Sequence, residues 1–255
     1  MRKLFFILAY LGVTLSCNAQ MRFIPADSII TWDNDVMNLR NTALEANAQL
    51  RPQRISAPHS QLQALQTAWL QGKMEDFSNP FAITNRFTLA ARLLSLTADA
   101  QYALEMERLI YGPIIQTASQ PTLTSGKITT AQTLLNALGT MMGMKGDTLY
   151  VNYYANTTTI LNHNNSEIQL DLITGMPFHE RVKFRFSRMT FAQGIPLTIG
   201  IRLPQGEWNS ATFPIYCNGH ETPYRIEKGY ALITNTWQSG FEIYFDLPQP
   251  LLIEQ

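Results

Sequence analysis

The chain has 255 residues, 45% of them hydrophobic and 15% charged, and 19 basic residues balance 19 acidic ones to a formal net charge of zero. That composition excludes a disordered polymer, which is poorer in apolar residues and richer in net charge, and it excludes a nucleic-acid binder that works by neutralising phosphates. The length is enough for one large domain or two modest ones with a sizeable core.

Residues 1–19 read as a secretory signal. Arg2 and Lys3 form a basic start, and Leu4 to Leu15 give an apolar run of roughly a dozen residues before a small-residue site. Such a run is too short for a bilayer, which takes about 20 apolar residues. Cleavage is expected after Ala19, which makes Gln20 the first residue. Ser16-Cys17 keeps a lipoprotein alternative open, with lipid on Cys17, although Thr14 stands where such signals usually carry Leu. No later segment is apolar enough to span, so the expected location is periplasmic or secreted, soluble or tethered at Cys17. Cys17 and Cys217 are the two cysteines, and cleavage after Ala19 leaves a single thiol, with no intramolecular disulfide.

From Asp33 to Met142 the apolar period is helical. Asp33 or Asn34 can cap a first helix with Val36, Leu39, Ala43 and Ala46 inward. Ser60 can cap a second with Leu62, Leu65 and Trp69 on one face. Ser78-Asn79-Pro80 is an N-cap followed by proline at the first helical position, and opens a third helix that buries Ile83, Phe87, Ala90, Leu93 and Leu94 and stops near Thr97. Asp99 starts a fourth, with Tyr102, Met106, Leu109 and Ile110 inward, ended by Gly112-Pro113. Thr129 or Thr130 caps a fifth, with Leu134, Leu135, Leu138, Met141 and Met142 as its stripe. These hairpins need partners for their apolar faces.

After Gly146-Asp147 the period becomes two. Short runs rich in strand formers follow at Thr148–Tyr154, Glu167–Thr174, Val182–Ser187, Leu197–Leu203, Pro214–Asn218, Tyr230–Thr234 and Phe241–Leu247. Turn chemistry at His163-Asn-Asn-Ser166 and Asn218-Gly219 separates them. The expected fold class is α+β: a helical domain over residues 20–145, then an antiparallel β-sandwich over residues 146–255. Residues 21–60 are left without a firm place.

Two segments then carry a resemblance. Asn85-Arg-Phe-Thr-Leu-Ala-Ala-Arg92-Leu-Leu-Ser-Leu-Thr97-Ala-Asp99-Ala-Gln-Tyr102-Ala, with Glu107-Arg108-Leu-Ile-Tyr111, follows a pattern close to N-x-x-L-x-x-R-L-x-x-L-T-G-D-x-x-Y-A and E-R-x-L-Y-N. Leu134-Leu-Asn-Ala-Leu-Gly139, Gly146-Asp-Thr-Leu-Tyr-Val-Asn152, Pro177-Phe178, Ile201-Arg-Leu-Pro204, Cys217-Asn-Gly219, Gly229-Tyr230, Trp237 with Gly240, and Leu247-Pro248 extend it. Over residues 79–250 the chain resembles the C-terminal part of the β-L-arabinofuranosidase family, glycoside hydrolase family 127. The resemblance implies the last helical hairpins of an α/α toroid followed by a β-sandwich. It also implies a zinc-held cysteine nucleophile acting on arabinofuranosides, with three thiolates and a carboxylate around the metal. In the family pattern these come from a Glu-x-Cys before the first hairpin and from an adjacent cysteine pair before the next helix. Here the first pair of positions falls on Asn79 and Phe81, and the second near Gly126 and Lys127. No cysteine lies between residues 18 and 216, so this zinc site is not expected. A complete toroid also needs more helices than fit between residues 33 and 142.

Other chemistries find little support. Glycoside hydrolysis ordinarily needs two facing carboxylates, and Glu75, Asp76, Glu105 and Glu107 read as solvated helix faces and caps. His59, His163, His179 and His220 are scattered without metal spacing. Cys217 reads as a buried, inert thiol. No Gly-x-Ser-x-Gly elbow accompanies Asn156-Thr-Thr-Thr159, and no glycine-rich phosphate loop appears. Trp32, Trp69, Trp208, Trp237, Tyr153 and Tyr154 are the candidates for stacking on sugars, with Trp69 and Trp237 read as core and Trp208 left open. The sequence therefore assigns no catalytic residue, no metal ligand and no cofactor, and leaves the substrate-binding residues unknown. The expected role is an exported, non-catalytic glycosidase remnant that binds a glycan, or a protein partner or second copy through its helical face. An active hydrolase with a rearranged site, or one subunit of a split glycosidase, is the alternative.

Overall fold

The computed structural model describes residues 20–23, 29–31, 62–71, 79–114, 132–134, 136–137, 139–175, 179–191, 193–206 and 211–248. The expected helix with Val36 and Leu39, the caps at Ser60 and Thr129 or Thr130, and Pro177-Phe178 lie outside them, as do Trp32, His59, Glu75, Asp76, Gly126, Lys127 and Trp208.

Among the described residues, α1 (Leu62–Gln71), α2 (Pro80–Thr97) and α3 (Ala100–Leu109) precede the main strands. Asn79 caps α2, its side-chain oxygen accepting the amides of Phe81 and Ala82, and Pro80 fills the first helical position, where a missing N–H costs nothing. Asp99 caps α3 by accepting from Gln101. Between them Ala98 takes the left-handed conformation at φ 52°, a corner that favours glycine, and it stands where the pattern quoted above has Gly. Ile83, Phe87, Leu93 and Leu94 of α2 and Met106 and Leu109 of α3 are buried, each such side chain contributing about 1.5–3 kcal/mol on leaving water. A π-turn at Ile110–Ile114 follows α3, where Gly112 and Pro113 break the helical path as expected. Residues 132–134, 136–137 and 139–140 are also helical.

The expected helical stripe ends early. Met141 is already outside the helix, and Met142 opens a strand. The strands are β1 (Arg22–Phe23), β2 (Ile29–Thr31), β3 (Met142–Lys145), β4 (Thr148–Val151), β5 (Thr157–His163), β6 (Ser166–Thr174), β7 (Arg181–Met189), β8 (Ile195–Arg202), β9 (Tyr216–Cys217), β10 (His220–Glu221), β11 (Arg225–Glu227), β12 (Tyr230–Trp237) and β13 (Glu242–Asp246). One sheet has the order β1-β3-β4-β8-β12-β11, the other β10-β9-β13-β7-β6-β5-β2. The expected division at residues 145 and 146 falls inside the β3–β4 hairpin, and β1 and β2 bring the N-terminal segment into both sheets.

Most pairs are antiparallel, as expected, but β4 and β8 run parallel, Leu149 opposite Ile199 and Val151 opposite Ile201. Asn164-Asn165 and Asn218-Gly219 make two-residue turns with positive φ at both positions, as Asn and Gly allow.

The helices lie on the outer face of the first sheet. There the strands lose their alternation: β8 is buried at every position from Ile199 to Arg202, and β12 from Tyr230 to Ile233. The Lys228-Gly229 turn meets the start of α3. The Ala100 amide donates to the Lys228 carbonyl at 2.9 Å, and a Cβ on Gly229 would stand 2.7 Å from that of Ala100. One hydrophobic core runs from α2 and α3 through both sheets.

Candidate functional site

The resemblance motifs meet at one place, under the helical layer. Glu107 projects from α3, Arg202 ends β8, Asn152 follows β4 and Tyr230 begins β12. Arg202 is 5% exposed. Its guanidinium donates to Glu107 Oε2 at 2.5 Å and to the Asn152 carbonyl at 2.5 Å. The Asn152 carboxamide donates to the Thr140 carbonyl at 2.8 Å and accepts the Tyr230 hydroxyl at 2.7 Å. The Tyr154 hydroxyl donates to the Arg202 carbonyl, and that of Tyr153 to the Ala137 carbonyl. Burial pushes all three tyrosine hydroxyls well above their usual 10.0, so they stay protonated as donors.

This network is closed: its members satisfy one another, as buried polar groups must. It ties helix to sheet. Tyr153 and Tyr154 are thereby removed as sugar-stacking candidates, since both rings are buried.

Glu105 sits two residues before Glu107, so about 200° around the helix separates them. It pairs with Arg86 of α2 at 3.0 Å, and that guanidinium lies 3.4 Å from the centre of the Trp69 ring. The expectation that these two carboxylates are solvated is corrected: each is partly buried against an arginine. They face different elements and do not form the opposed acid and base that glycoside hydrolysis uses.

The other candidates lie apart. Among the described residues no group of three His, Cys, Asp or Glu side chains could hold a metal. Asn79, at the position corresponding to the family's metal-binding carboxylate, uses its side-chain oxygen to cap α2. Phe81, at a cysteine position, presents a ring that is 55% exposed. A carboxamide engaged by two amides and a hydrocarbon ring are not zinc donors, so the residues present do not fit the metal.

Cys217 is buried in β9, and desolvation raises its thiol above the usual 9.0, which suppresses the reactive thiolate. Trp237 is buried and stacks on Phe186 at 4.9 Å, its indole N–H donating to Leu197 at 2.8 Å. Trp69 packs edge-on against Tyr102. His163 contacts Asp147 at 3.3 Å, while His179 and His220 are exposed. His179, Glu180, Arg181 and Asp246 line an open, polar depression on the outer side of the second sheet. There Arg181 binds both carboxylate oxygens of Asp246 at 2.8 and 2.9 Å, which lowers the Asp246 pKa below 3.8.

Residues 148–249 match a family described as beta-L-arabinofuranosidase, GH127 middle domain. Over that stretch the chain is GH127-like. Its fold resembles that of a GH127 beta-arabinofuranosidase (18% identity, TM-score 0.56) over 67% of this chain and 32% of the other. A structure described as a glycoside hydrolase gives 18% identity and TM-score 0.58, over 68% and 33%. The GH127 beta-L-arabinofuranosidase Ara127N-Se of Geobacillus stearothermophilus T6 gives 19% and 0.57, over 68% and 32%. The GH127-like chain thus spans about a third of the length of these solved relatives. No curated protein matches it.

Proposed function

We propose that this GH127-like chain is an exported, non-catalytic protein that holds a protein partner through its helical side. The observation that carries the reading is the replacement of metal donors at the helix start: Asn79 is a cap and Phe81 an exposed ring, where the resemblance calls for Glu and Cys. The helical carboxylates offer no substitute, because Glu105 and Glu107 are committed to Arg86 and Arg202. Phe81, Leu70 and Tyr111 leave large apolar side chains 55%, 75% and 48% exposed on the helical segments, and these support the helical side as the place where a partner would dock. The polar outer side of the second sheet is the weaker candidate, for a glycan.

The leader over residues 1–19 supports export to the periplasm or beyond. Purified protein incubated with arabinofuranosides and plant glycans, with and without added zinc, is expected to release no sugar. Sugar release that a single substitution in the helical segments abolishes would overturn the non-catalytic reading. Sedimentation is expected to show self-association, or a stable complex with a co-exported protein, that Phe81→Ser weakens. A monodisperse monomer that instead retains a plant glycan on an affinity column would move the role to the glycan.

A further inference from the structure

The four residues Gln20–Phe23 are built into the fold. The Met21 amide donates to the Ser95 carbonyl at 2.6 Å, and the Met21 side chain is 2% exposed. Its thioether fills a notch that exists because residue 143 has no side chain: a Cβ there would stand 2.6 Å from Met21 Sδ. Arg22 and Phe23 pair with Met144 and Gly143 as an edge strand. The Gln20 carboxamide nitrogen donates to Ser95 Oγ at 2.9 Å, while that hydroxyl, wholly buried, donates onward to the Arg92 carbonyl at 3.0 Å. Ser95 is thus oriented as an acceptor for residue 20, and α2 is fastened to the first sheet by the segment that follows Ala19.

We infer that the leader is cut between Ala19 and Gln20, and that the new N terminus is a latch joining α2 to the first sheet through Ser95 and the Gly143 notch. The inference rests on the export reading above. A cut two residues later would remove Met21 from its notch. Lipid on Cys17 would leave three residue steps before Gln20, about 11 Å when extended, and would press the latch side of the fold against the headgroups.

The latch has a chemical consequence. A free N-terminal glutamine can cyclise. Its α-amine attacks its own Cδ, the N–Cδ bond forms, the Cδ–Nε2 bond breaks, and ammonia leaves with the proton that the amine sheds. In the folded protein Nε2 donates to Ser95, a bond that departure of ammonia must give up, so Gln20 is expected to stay open.

The full chain, expressed in an exporting bacterial host and purified from the periplasm or medium, is measured by intact mass and N-terminal peptide mass over days. The expected product begins at uncyclised Gln20. Ser95→Ala is expected to speed ammonia loss about fivefold, the weight of one hydrogen bond. Gly143→Val, which expels Met21, is expected to bring the rate toward that of the free peptide Gln-Met-Arg-Phe. A retained leader overturns the export reading and this inference with it. An exported chain that begins elsewhere, or carries lipid on Cys17, overturns the inference alone. Wild-type cyclisation at the free-peptide rate overturns the latch.

Discussion

Arg202 and Glu107 should be energetically coupled, and the structure sets the scale. The Arg202 side chain is 6% exposed and that of Glu107 24%, with 2.5 Å between them. Removing one partner from a buried pair costs about 3–5 kcal/mol, because the remaining charge is stranded. Glu107 is near enough to solvent that water partly refills its place, so Glu107→Ala is expected at the low end, about 3 kcal/mol. Arg202→Met keeps most of the buried stem but loses charge-assisted hydrogen bonds to Glu107 and the Asn152 carbonyl, each worth about 1.5–3 kcal/mol. The freed carboxylate can rehydrate, which brings the expected net to about 2 kcal/mol. The double variant strands no charge and should cost about 3 kcal/mol, less than the sum of the singles, leaving a coupling of about 2 kcal/mol. For a chain of this size 1 kcal/mol moves Tm by about 2–4 °C. Thermal and urea unfolding of the four proteins measure the cycle, and hydrogen exchange should show α3 losing protection first. Additivity within about 0.5 kcal/mol, with each single change below about 1 kcal/mol, would refute the view that this pair fastens helix to sheet.

Four further outcomes follow from the geometry. Asp246 has a lowered pKa, so its pairing with Arg181 adds stability above its ordinary 3.8 and loses it as pH falls through the lower folded value; the Tm gap between wild type and Asp246→Asn should therefore close at acid pH and shrink in salt. Tyr153, Tyr154 and Tyr230 have raised values, so the native state holds their protons longer than the unfolded chain. Stability should accordingly fall as pH climbs past 10.0, with their tyrosinate absorbance appearing only on unfolding. Gly229→Ala forces a side chain into positive φ (78°) and against Ala100, and is expected to cost about 2–3 kcal/mol in denaturant unfolding. Ala98→Gly relieves the left-handed strain of the α2–α3 corner at the loss of one buried methyl, and should be neutral or stabilising by up to about 1 kcal/mol, where an ordinary buried Ala→Gly change destabilises.

What could be read from the sequence was local. Asn79-Pro80 and Asp99 announced the two best-formed helices, because capping is settled within three residues. Asn164-Asn165 and Asn218-Gly219 announced their turns, because positive φ is a property of the residues themselves. Met141 and Met142 misled because an apolar pair after a helical stripe fits a helix or a strand, and Gly143 with β4 and β1 decided for the strand. Strands of two or three residues such as β1 and β2 are too short to display a period. The parallel β4–β8 pairing is a matter of topology that no local pattern encodes. Glu107 looked like a surface charge because its partner lies 95 residues away. Phe81 and Asn79 were legible in what they are; that one caps a helix and the other faces solvent needed the fold.

The residues behind the resemblance therefore divide by physical role. Glu107, Asn152, Arg202 and Tyr230 hold a joint in which changing any one leaves another polar group buried without its partner, so a sequence that uses this scaffold has few ways to rewrite them. The start of α2 is under a weaker constraint: any residue that caps the helix keeps it folded, and Asn79 does so at a position where the family pattern has a metal-binding carboxylate. A scaffold can thus remain recognisable through its joint while its chemistry is decided separately at a helix terminus. The match over residues 148–249 spans Asn152, Arg202 and Tyr230 of that joint, and the reaction must be argued from the helix terminus.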